Sequence, residues 1–184
     1  MTITPIDHGA ETAKAHGLKR SDQWPEVERA YRAAHPTCAA CPSTAVQVHH
    51  VLPFHFAVLL ARPDLELDPR NLIGLCEKEH GDEGAQDHHL LLGHLDDFQS
   101  YNPDVRKSVT FYSGDVEAAI RASAAWQAAM RNKPKAWVDM TSQDKADMRA
   151  LMDALYPLTK KETEPMAERT ATGKFAPASE DAAE

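Results

Sequence analysis

Val48-His49-His50-Val51-Leu52-Pro53 and Asn71-Leu72-Ile73-Gly74-Leu75-Cys76 are the two apolar runs whose pairing decides how this chain folds. The first completes a stretch from Ala45 to Leu52, reads as a short strand, and is closed by Pro53. The second follows Asp68-Pro69-Arg70, good turn chemistry, and reads as its hairpin partner. Residues 54–70 between them read as a connecting loop, with a helical turn near Phe56–Leu60. After Cys76 the stretch Glu77–Asp87 is polar and turn-like, and His88 to Leu95 reads as a short helix that weakens at Gly93. The order is therefore strand, strand, helix, with histidines at the junctions. On a regular strand His49 and His50 point to opposite faces, so both serve one site only if the strand end is bent or bulged.

Upstream, Ser21-Asp22-Gln23-Trp24-Pro25-Glu26 has the form of a helix start, and Trp24, Val27, Ala30, Tyr31 and Ala34 follow at helical spacing. His35-Pro36-Thr37 ends that helix and delivers the chain to Cys38. Downstream, Asp115–Met130 and Ser142–Leu155 are amphipathic and read as packing helices. Lys160 to Glu184 is rich in Glu, Ala, Thr, Ser and Pro and reads as disordered. The expected organisation is a flexible arm over 1–21, a central domain over 22–110, a helical extension over 111–159 and a tail over 160–184.

Three cysteines are too few and too odd in number for a closed disulfide framework, and Cys38-x2-Cys41 with a distant Cys76 is a spacing suited to zinc. All ten histidines lie at or before His94, and seven of them (His49, His50, His55, His80, His88, His89, His94) fall in one segment. Imidazole is the commonest metal ligand and a general base near neutral pH, so this clustering points to a metal site. The chain has 184 residues, 42% hydrophobic and 26% charged, as expected of one soluble domain with appendages. No run is long and apolar enough to span a membrane, and the N-terminus lacks a signal-peptide layout, so the expected location is the cytoplasm. The formal net charge of −8 runs against a nucleic-acid partner, which usually finds a basic footprint. Any such footprint has to be a local patch or come from a partner protein.

The ordered series Cys38-x2-Cys41, Val48-His49-His50-Val51-Leu52-Pro53-Phe54-His55, Leu65 to Cys76, and His88-His89-Leu90-Leu91-Leu92-Gly93-His94-Leu95 resembles the HNH endonucleases. More narrowly it is similar to a subgroup of small bacterial and phage HNH proteins, in which such a series precedes a segment like Phe98-Gln99-Ser100-Tyr101-Asn102-Pro103. The resemblance runs from about Trp24 to Val105. It implies an α+β fold: a ββα-metal (His-Me finger) core with a structural zinc, flanked by N- and C-terminal helices. It also implies metal-dependent hydrolysis of DNA phosphodiester bonds, with DNA as partner and a phage or defence complex as a further setting.

Roles follow by position. The resemblance makes His49 a ligand of a catalytic divalent metal (Mg²⁺, Mn²⁺, Ni²⁺ or Zn²⁺) and His50 the base that activates water. Asn71, the family's middle letter, would bond the loop joining the strands and so orient His50. His89 would be the closing histidine and a second ligand, and His94 a third ligand or a contact just outside the site. His89 and His94 stand about 140° apart on an ideal helix, so joint ligation needs the helix to break at Gly93. Cys38, Cys41 and Cys76 would hold the structural zinc. The family's fourth cysteine is here His88, which suggests a site of three thiolates and one imidazole, with His80 as the alternative because Cys76-x3-His80 is itself a chelating spacing. The rival from another class is a non-catalytic zinc module that binds a protein partner through its acidic surface.

Overall fold

The computed structural model of the chain describes residues 17–77, 87–112 and 116–158. Residues 1–16, the 78–86 stretch with His80, residues 113–115 and the tail from 159 onward lie outside the described residues. The architecture is α+β: a small two-stranded sheet with short helices and turns packed around it. Strand β1 (Val46–His50) pairs antiparallel with β2 (Leu72–Cys76), Val46 opposite Cys76 and His50 opposite Leu72.

Cross-strand partners share a face, so His50, Val48, Val46, Leu72 and Gly74 look one way and His49 and Ile73 the other. Helix α1 (Trp24–Ala34) lies on the His50 face: Trp24 packs on His50, and the Tyr31 hydroxyl donates to the Leu72 carbonyl at 2.7 Å. Pro25 in its first turn and Glu26 near its positive end account for its start. Just past α1 the chain crosses Gly74 so closely that a Cβ there would stand 2.8 Å from a Val46 methyl carbon and 3.8 Å from the His35 and Thr37 carbonyls. Glycine lets the first cysteine pair lie against the sheet.

The connection between the strands is more structured than a loop with one helical turn. Helix α2 (Phe54–Leu59) buries Phe54, Phe56 and Ala57 and stops where Ala61 takes a φ of +58°. Single 3-10 turns follow at Pro63–Glu66 and Pro69–Asn71, the second capped by Asp68, whose carboxylate accepts from the Arg70 amide at 2.8 Å. Past β2, a π-helical turn (His89–Gly93) lies on the His49 face. It is followed by α3 (Val105–Ser108), a 3-10 turn (Val109–Tyr112), α4 (Val116–Arg131) and α5 (Ser142–Leu155). The sequence places α4 and α5 within a residue of where they stand, and a Thr141–Asp144 capping box starts α5.

Two apolar clusters share the interior. One gathers Cys38, Val51, Ile73, Leu75, Cys76, Leu92 and Val105 under the sheet. The other docks Met148, Met152 and Tyr156, from α5 and the residue just after it, on Leu52, Phe56 and Leu65. Buried Arg62 ties that second contact down, pairing with Asp64 and Asp153 at 2.7 Å each and donating to the Tyr156 carbonyl at 2.7 Å. Among the described residues no helix is long and apolar enough to cross a membrane.

Candidate metal centres

Cys38, Cys41, Cys76 and His88 come together from separate parts of the chain, with ligand atoms all within 4.8 Å of one another. None of the cysteines is disulfide-bonded. Sγ of Cys41 and Sγ of Cys76 are 3.8 Å apart, and His88 Nδ1 lies 3.5 Å from Cys38 Sγ and 3.2 Å from Cys76 Sγ. A tetrahedral zinc with ordinary bond lengths requires about 3.8 Å between two thiolates and about 3.5 Å between thiolate and imidazole. The donor set and its spacing fit zinc. Burial, with the Cys38 sulfur adding to it, pushes the Cys76 thiol up to about 12. A thiol that resists ionisation so strongly gives up its proton readily only to a cation. Local backbone bonds hold the pair in place: Cys38 N–H donates to Ser43 O at 2.8 Å, Ala39 N–H to Gly74 O at 2.9 Å and Ala40 N–H to Cys38 Sγ at 3.3 Å.

His49, His89 and His94 form a second cluster, again within 4.8 Å. Their ring centroids are 5.2, 4.8 and 4.9 Å apart and every pair meets edge to face, so the nitrogens converge and the rings do not stack. His49 is buried, and its Nε2 has no hydrogen-bond partner; neither has the buried Nδ1 of His89. Unpartnered buried nitrogens cost stability unless something else satisfies them, and a cation does. His94 Nδ1 donates to the Ser100 carbonyl at 2.8 Å, which fixes the tautomer and leaves Nε2 as the ligating atom. Burial, and then the neighbouring His94 and His89, hold His49 well below the usual histidine range, so it is neutral and ready to ligate. His89 and His94 are partly exposed, and this centre offers three donors where the first offers four.

The helix was expected to break at Gly93 for His89 and His94 to meet. It does not break: it widens. The His94 amide donates at 3.2 Å to the His89 carbonyl five residues back, as well as to Leu90, and five-residue bonding carries the two histidines onto one side. Left-handed residues Leu95 (φ +53°) and Asp96 (φ +60°) then end the turn, with the Asp96 amide on the Leu90 carbonyl at 3.0 Å. Gly93 has a different task. A Cβ there would stand 3.0 to 3.2 Å from three atoms of the His49 ring. We expect Gly93→Ala to leave the melting temperature within a few degrees of wild type, since alanine favours helix by up to about 1 kcal/mol. The same change should weaken metal binding at the histidine centre by roughly tenfold through displacement of His49. Isothermal titration with Co²⁺ against a thermal melt checks both halves, and unchanged affinity would clear Gly93 of any part in the site.

His50 is not in this cluster. The strand stays regular to its end, so His50 faces α1, where its ring packs 4.6 Å from that of Trp24 and its Nε2 donates to the Glu66 carbonyl at 2.9 Å. Burial, and then the nearby Arg20 charge, take its pKa down to about 3. Asn71 is fully buried and ties both ends of the strand connection together. Its amide donates to the Leu52 carbonyl at 3.1 Å and the Leu65 carbonyl at 3.0 Å, and its carbonyl accepts from Leu52 N–H at 2.9 Å. Those bonds position Glu66, and through it the His50 ring. We expect Asn71→Ala to cost about 2–4 kcal/mol, because it strands three buried backbone groups at once. A urea titration measures this, and a loss under about 1 kcal/mol, the worth of one ordinary hydrogen bond, would show that the loop holds itself. His55 stays half buried beside Phe56 and joins neither centre.

The resemblance leaves four contributors unmarked. Ser100 serves through its carbonyl, Glu66 likewise, and neither leaves a trace in side-chain identity. Asn102 clamps the end of the π-helical turn, its amide on the Leu92 carbonyl at 2.9 Å and its backbone N–H on the Gly93 carbonyl at 2.9 Å. Gly93 reads in sequence as a helix weakener, although its service is to His49. Compared with known protein families, curated proteins and solved structures, the chain matches none.

Proposed function

We propose that the chain is a metal-dependent endonuclease of the HNH type, its hairpin and π-helical turn forming a ββα-metal core that hydrolyses DNA phosphodiester bonds. The observation that carries this reading is the convergence of His49, His89 and His94 on one centre, with His49 Nε2 and His89 Nδ1 buried and without hydrogen-bond partners. A divalent ion held there, Mg²⁺, Mn²⁺, Ni²⁺ or Zn²⁺, would supply stabilisation of the charge that develops on the departing oxygen. The remaining work falls to the chain. Ser100 keeps His94 in the ligating tautomer, Gly93 makes room for His49, and Asn71 holds the connection that carries Glu66. His50 takes the proton of the attacking water. With a pKa of about 3 it is too weak a base for neutral pH, where a value near 7 serves best. This role therefore requires the end of β1 to bend when substrate arrives, so that the ring leaves Trp24 and Glu66 and turns to the face of His49.

The second reading is a zinc-stabilised module that binds a protein partner and cleaves nothing. The net charge of −8 and the covering of His50 by Trp24 favour it. The same charge suits a nuclease that acts within a phage or defence complex whose other members supply the basic surface. Supercoiled plasmid incubated with zinc-loaded protein and Mg²⁺, Mn²⁺ or Ni²⁺ separates the two, with EDTA and His49→Ala as blanks. The nuclease reading expects nicked or linear product only with added metal and intact His49. Unchanged plasmid under all three ions would favour the module.

A further inference from the structure

We propose that Glu77 is a fourth protein ligand of the centre formed by His49, His89 and His94, which makes it a site of three imidazoles and one carboxylate. The proposal rests on reading that centre as a metal site. Glu77 follows directly on β2, and its amide still donates to the Ala45 carbonyl at 3.1 Å, so its backbone is as firmly placed as the strand's. Side chains alternate along a strand, so Cys76 and Glu77 leave it in opposite directions, Glu77 on the side of Ile73 and His49. Cys76 enters the cysteine site. At the start of the π-helical turn His88 and His89 divide in the same way, His88 to the cysteine site and His89 to the histidine site. Two adjacent pairs thus straddle the two centres, and Glu77 is the member whose counterpart is His89.

The contact between Glu77 and His89 is an ion pair without a hydrogen bond. Glu77 Oε1 lies 3.6 Å from His89 Nδ1, and that buried nitrogen has no hydrogen-bond partner. A hydrogen bond between them would bring the atoms to about 2.7–3.2 Å. Two adjacent ligands of one six-coordinate ion with bonds of about 2.1 Å stand about 3 Å apart, and beyond four protein ligands such an ion keeps two positions open. The observed 3.6 Å is too long for a hydrogen bond, and a small rotation of the carboxylate would bring it to ligand spacing. The three histidines have ligand atoms within 4.8 Å of one another, and Glu77 stands at the His89 edge of that group. Rotation about its flexible side chain brings the carboxylate in. A carboxylate oxygen adds negative charge and hardness, which moves the preference of a three-imidazole site toward Mn²⁺ and Mg²⁺.

The test is Co²⁺ and Mn²⁺ titration of the full chain with its cysteine site zinc-loaded, read by calorimetry and by the visible d–d bands of Co²⁺. The proteins are wild type, Glu77→Gln, Glu77→Asp and His49→Ala. Glutamine keeps an oxygen that accepts a hydrogen bond from imidazole but is a poor ligand. Glu77→Gln should therefore bind both ions roughly 10–100-fold more weakly, with altered d–d bands and unchanged zinc content. Glu77→Asp should recover part of the loss. Wild-type affinity and spectrum in Glu77→Gln would overturn the proposal while leaving the histidine centre standing. Loss of the cysteine-bound zinc in that variant would assign Glu77 to the other site and overturn it equally. If wild type and His49→Ala bind alike, the histidine centre itself is not a metal site, and the proposal falls with it.

Discussion

Cys41→Ser should release the zinc and unfold most of the chain. A two-stranded hairpin is marginal in water without packing, and the elements that pack on this one are short. Cys38 and Cys41 sit on the turn after α1, Cys76 ends β2, and His88 opens the π-helical turn, so one ion held there would join every element of the centre. Structural zinc is worth about 10–16 kcal/mol in small zinc domains, comparable with or above the whole stability of an ordinary domain. We therefore expect loss of stoichiometric zinc by mass spectrometry, and loss of the cooperative melt in the same sample. Excess chelator should do the same to wild type. The neighbouring question is the fourth ligand: His88→Ala should lose zinc and His80→Ala should keep it, since His88 Nδ1 already stands 3.2 Å from Cys76 Sγ. A zinc-free Cys41→Ser that melts like wild type would mean that the four donors stabilise nothing.

The second large effect is on rate. His50→Ala should lower metal-dependent plasmid cleavage by roughly 10²–10⁴-fold, the range for removal of a general base. That equals about 3–5 kcal/mol in the barrier. Stability will fall too, because the ring is held between Trp24 and the Glu66 carbonyl. Rates are therefore compared well below the variant's melting temperature and at matched zinc content. His49→Ala gives the contrast: it should lose activity together with Co²⁺ binding at the histidine centre, whereas His50→Ala should lose activity and keep the ion. Full cleavage by His50→Ala would leave His50 as the structural partner of Trp24 and return the search for the base to the residues around the histidine centre.

Local pattern accounts for a good share of what the structure contains. Strand runs 46–50 and 72–76, helices 116–131 and 142–155, and the start of α1 at Trp24-Pro25-Glu26 all follow from periodicity, β-branching and caps, which act within a few residues. The two donor groups are legible for a related reason. Cysteine and histidine are scarce residues, and their crowding between Cys38 and His94 marks a site whatever the fold.

Tertiary structure decided the rest, because each remaining question is one of direction or of distant partners. Adjacent histidines at 49 and 50 look identical in sequence, yet the regular register sends one to the side of His89 and His94 and the other under Trp24. His89 and His94 are about 140° apart on an ideal α-helix and meet only because the backbone widens into a π-turn, held by Asn102 bonds from beyond the turn. The tautomer of His94 depends on a backbone carbonyl, which every residue carries and none advertises. What this sequence determined alone was where the two strands and the longer helices form and which atoms are available to bind an ion. Which of those atoms face one another was settled by the packing of the hairpin, α1 and the π-turn, since orientation is a property of contacts and not of composition.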